Sequence, residues 1–84
     1  MSEHRFYIAR DPYDSEVFHL LMEMNLARKP ALQYHVSTIF EDHLFELTVD
    51  HIEDNENHFM RRVKDLEKGQ RIEVNIKLSI AEDD

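Results

Sequence analysis

The chain has 84 residues, of which 18 are acidic and 10 basic, a formal net charge of −8 with histidine neutral. It has 42% hydrophobic and 33% charged residues, which is enough apolar content for a folded core and too much for an acidic disordered chain. The length implies a single domain over residues 1–84, with residues 81–84 a frayed tail. A chain of this size buries only about 60–65% of its unfolded surface, so subunit pairing is an expected aid to stability.

Cysteine is absent. That excludes a disulfide scaffold, a thiolate nucleophile, cysteine-based zinc sites and iron–sulfur clusters. It favours a reducing, cytoplasmic setting. The opening residues MSEHRFYIARD carry charge where a secretory leader needs an apolar stretch. No apolar run approaches the roughly 20 residues of a membrane span. The acidity disfavours binding to nucleic acid or to an anionic membrane. The expected partner is a protein with a basic surface. The plainer account of the acidity is that it keeps a small domain soluble.

In chain order, residues 4–10 read as a strand, with Phe6 and Ile8 on one face and Arg5, Tyr7 and Ala9 on the other. Asp11-Pro12 reads as a helix start. Val17, Leu20, Leu21 and Met24 recur at helical spacing, so a helix is expected to about Arg28, stopped by Pro30. Residues 32–40 and 43–52 both alternate, and a reversal at Glu41-Asp42 puts Val36 opposite Leu47 and Tyr34 opposite Val49. Asp54-Asn55 precedes a second helix over about 55–68, with Phe59, Val63 and Leu66 as its apolar stripe and Met60 beside it. Residues 70–80 alternate cleanly from Ile72 to Ile80 and read as the last strand.

The expected order is therefore β-α-β-β-α-β. This α+β pattern is similar to the ferredoxin-like split βαβ plait, a four-stranded antiparallel sheet of order 4-1-3-2 with two helices on one face. The topology hosts many unrelated functions and does not assign one.

Catalytic motifs are sparse. One glycine excludes a phosphate-cradling loop, and Ser15, Ser37 and Ser79 lie in no nucleophile-elbow context. Nothing in the sequence calls for a cofactor, and no catalytic residue is assigned. In the expected register His35 faces Thr48 with Glu46 and Asp50 diagonal to it, an arrangement that would raise the imidazole pKa and allow acid–base work. A flat sheet face without a pocket argues against catalysis there. His51, Asp54 and His58 could ligate a divalent ion, though their spacing fits no established pattern.

Charge is the most unusual local feature. Residues 41–56 hold Glu41, Asp42, Glu46, Asp50, Glu53, Asp54 and Glu56 and no lysine or arginine. They read as a negative ridge that docks on a basic partner or mimics nucleic-acid phosphates; pairing with the basic second helix is the simpler alternative. Ile39 and Leu44 are expected to point outward together at a hairpin tip, as an apolar anchor. The favoured function is thus a small protein-binding or regulatory domain, a homodimer, contacting its partner through Ile39, Leu44, Glu41, Asp42, Glu46 and Asp50. The rival is a ligand- or metal-binding domain that uses His35 or the His51–His58 region.

Overall fold

The computed structural model describes residues 3–26 and 29–77. Three strands come first: β1 (Glu3–Arg10), β2 (Val17–Leu26) and β3 (Lys29–Phe40). Two helices follow, α1 (Glu41–His51) and α2 (Glu56–Lys64), then a short strand β4 (Arg71–Val74). All strand pairs are antiparallel, and the sheet order is β3-β2-β1-β4. The α+β class, the four-stranded antiparallel sheet and the two helices agree with expectation. The expected order 4-1-3-2 does not hold, because β1 to β3 form a meander and both helices lie together in one crossover between the two edge strands.

Two segments exchange their expected roles. Residues 17–26 are a strand because Phe18, Leu20 and Met22 alternate onto one side, where Arg10, Ile8 and Phe6 stand opposite them. Asp11 does satisfy free backbone N–H groups, but those of a hairpin loop. Its Oδ1 accepts from Tyr13 N at 2.7 Å and Asp14 N at 3.0 Å, and Asp11 N donates to Val17 O at 2.8 Å. Residues 41–51 are a helix because Leu44 and Thr48 share a buried side with half-buried Leu47, and Glu41 and Asp42 sit at its positive end. Glu41 N donates to Glu16 O at 2.9 Å, so one orphan amide of the first turn is satisfied by the hairpin loop.

The second helix begins as expected. The Asn55 side chain accepts from His58 N, and Phe59 and Val63 are fully buried. It ends at Lys64, before the expected limit, and the chain turns through Gly69 at φ 82° into β4. Of the expected final strand, residues 78–80 lie outside the described residues. Ile76 forms a bridge with Ile52, and Lys77 N donates to His51 O at 2.7 Å, which ties the end of α1 to the β4 side.

The core lies between one sheet face and the helices. Ile8, Phe18, Ile39, Leu44, Ile52, Phe59, Val63 and Val74 form it. Arg10 reaches into it. Its guanidinium donates to the carbonyl oxygens of Leu66 at 2.7 Å, of Val63 and Lys64 at 3.3 Å each, and of Ser15, and stacks 4.5 Å over the Phe18 ring. The carbonyls at and just beyond the end of α2 thus receive a buried cation, favoured by the helix dipole.

Candidate functional site

Ile39 and Leu44 do not point outward. Ile39 is 6% exposed and Leu44 0%, both within the core. The hairpin that would have placed them at a tip is absent, because Phe40 ends β3 and α1 starts at the next residue. Ile39 stands opposite Phe18 on the covered sheet face, and Leu44 lies on the buried side of α1.

The expected carboxylates are exposed and share a helix. Asp42, Glu46 and Asp50 recur every four residues along α1, which aligns them in one row, and Glu41 precedes them in the first turn. Phe45 and Val49 run beside that row and are 48% and 39% exposed. Among the described residues no ion pair links these carboxylates to Arg61, Arg62 or Lys64, so the alternative of pairing with the second helix lacks support. Asp42 instead contacts His43 at 3.0 Å. A shallow, open depression of about 550 Å³ lies at the start of α1, lined by Glu16, Phe40, Glu41, Asp42 and His43.

The apolar exposure of the molecule is concentrated. Leu32, Tyr34, Val36 and Phe40 of β3 and Phe45 and Val49 of α1 are each 39–57% exposed; Tyr13, at 90%, is the other large apolar side chain so exposed among the described residues. These six residues lie on an edge strand and on the helix that continues it. Composition gave no sign of the cluster, since alternation assigned Leu32, Tyr34 and Val36 to a covered face.

The opposite sheet face carries the polar groups expected of it from β1 and β4. Tyr7 stands opposite Glu73 and Leu21, its hydroxyl donates to Glu23 at 3.3 Å, and the Arg71 guanidinium lies 4.4 Å over its ring. His35 is on this face but not beside Glu46 and Asp50, which are on α1. Its neighbours are His19 and Thr38: His35 Nε2 lies 3.1 Å from His19 Nδ1 and 3.2 Å from Thr38 Oγ1. His19 Nε2 donates to Asp11 Oδ2 at 2.7 Å. That bond, with the N–H groups of Tyr13 and Asp14, holds the Asp11 carboxyl below its ordinary pKa. Among the described residues no group of three or more His, Asp or Glu side chains converges to hold a metal ion, and the expected His51, Asp54 and His58 set is not brought together.

No known protein family, curated protein or solved structure matches the chain. Among the described residues no helix is long and apolar enough to cross a membrane.

Proposed function

We propose that the chain is an intracellular protein-binding domain that meets a basic partner surface with the β3 edge and the outward side of α1. The observation that carries this reading is that six half-exposed apolar side chains fall within residues 32–49, next to the Asp42–Glu46–Asp50 row. An apolar strip gives contact area, and flanking carboxylates steer and select a cationic partner. Phe45 and Val49 take the anchoring role first expected of Ile39 and Leu44. The test is capture from cell extract by the folded chain. Phe45→Glu, and Glu46→Lys with Asp50→Lys, should each remove the same captured protein, and added salt should mimic the charge variants. Capture that persists in both variants and at high salt would refute the proposal.

Homodimerisation is a second reading supported by a separate observation. β3 is a 12-residue edge strand whose outer side has no neighbour among the described strands, and such edges pair readily. Pairing of β3 with its counterpart in a second copy would bury Leu32, Tyr34 and Val36.

A further inference from the structure

We infer that His19 and His35 form a two-histidine site for a borderline divalent cation of the Zn²⁺ class, built on the open sheet face with Asp11 behind it. This inference is independent of the protein-binding reading.

Three features of the backbone assemble the site. His19 stands directly opposite Thr38 in the β2–β3 ladder. The register then shifts, because Leu20 pairs with Ser37 and Leu21 with His35, leaving Val36 as an extra residue in a β-bulge. Plain alternation from Thr38 would send His35 to the covered face. The bulge restores it to the face of His19, and re-aiming a side chain is a recurrent use of such bulges. Finally, the turn at residues 11–14 fixes Asp11 through Oδ1, which leaves Oδ2 for His19.

The hydrogen bonds then dictate which lone pair is available. Because His19 Nε2–H is donated to a carboxylate, Nδ1 carries the lone pair, and it faces His35 Nε2 at 3.1 Å. Without an ion, His35 can donate Nε2–H across that gap. A cation takes the place of that proton, and His35 retains its hydrogen on Nδ1 by exchange with solvent. Two nitrogens 3.1 Å apart, each about 2.0–2.1 Å from one ion, subtend about 100° at the metal, between the octahedral and tetrahedral angles. The Thr38 hydroxyl, 3.2 Å from His35 Nε2, is placed to bond a water in the ion's shell. A carboxylate on the far nitrogen of a ligating imidazole is the usual outer support of a histidine–metal bond. The net charge of −8 further favours a cation over an anion.

The test is calorimetric titration of the full chain with Zn²⁺ in chelator-free buffer, with circular dichroism confirming the fold of each variant. The native chain should bind saturably, and the ring protons of His19 and His35 should be the first histidine signals to shift in NMR spectra. His19→Ala and His35→Ala should each weaken binding at least tenfold, and Asp11→Asn should weaken it about tenfold while leaving both ligands in place. A variant with His43, His51 and His58 all replaced by Ala should bind within twofold of the native chain. Absence of saturable binding, or binding that survives His35→Ala but vanishes in the triple variant, would overturn the inference.

Discussion

Arg10 concentrates more of the structure in one side chain than any other polar residue. It is 9% exposed, and its guanidinium meets carbonyls from the 11–16 loop, from α2 and from the turn after α2. Truncation would remove the guanidinium's bonds to four carbonyls, of which Val63 O keeps the Leu66 N–H, each charge-assisted bond being worth about 1.5–3 kcal/mol. Arg10→Ala should therefore destabilise the chain by about 3 kcal/mol in urea unfolding, and Arg10→Lys should recover only part of that, since an ammonium cannot reach all four separated carbonyls. A loss below about 0.5 kcal/mol would show that water replaces the guanidinium. The same scale explains Ile39 and Leu44. They are large apolar residues flanking a charged pair, Glu41-Asp42, which the sequence reads as a surface tip. In the fold the charged pair is the first turn of a helix, and its neighbours turn inward.

At the scale of elements, the strand at 4–10 and the helix starting near residue 55 are legible because each has one dominant period or cap. Two other segments fit both periods. In residues 17–26, Val17, Leu20, Leu21 and Met24 make a helical stripe, yet Phe18, Leu20, Met22 and Met24 alternate equally well, and pairing with β1 on one side and β3 on the other decides for the strand. In residues 43–52, Phe45, Leu47 and Val49 alternate, yet Leu44, Leu47 and Thr48 recur as a helix, and burial of Leu44 and Thr48 against the core decides for it. About ten residues with apolar positions in both patterns do not discriminate by period alone. The bulge at Val36 was beyond reach of any alternation argument, because it changes face midway along β3. The paired His19 and His35 depend on it and were hidden for the same reason. Deleting Val36 removes the extra residue and joins His35 directly to Ser37, so plain alternation then keeps residues 32–35 on their present faces. The expected result is that the nuclear Overhauser contacts between the His19 and His35 rings persist and that the β3 amides stay protected in hydrogen exchange. Loss of those contacts would show that Val36 is not the extra residue of the bulge.

For the molecule as a whole, the order β3-β2-β1-β4 matters because it leaves the longest strand at an edge and sends the chain straight from that edge into the acidic helix. Apolar strip and carboxylate row thereby become neighbours in the sequence and successive in the fold. If two copies pair through β3, Leu32→Lys with Tyr34→Lys should shift sedimentation from dimer to monomer without loss of circular dichroism signal. An unchanged sedimentation coefficient would remove the dimer. The partner surface itself is tested most directly by site-specific photocrosslinking in cell extract, with the crosslinking residue placed at position 45 in one preparation and at position 13 in another. Both sites are exposed and aromatic in the native chain, but Tyr13 belongs to the 11–16 loop and not to β3 or α1. A discrete adduct that fades with added salt is expected from position 45, and none from position 13. Equal labelling from both positions, or a position-45 adduct indifferent to salt, would rule out the proposed partner surface.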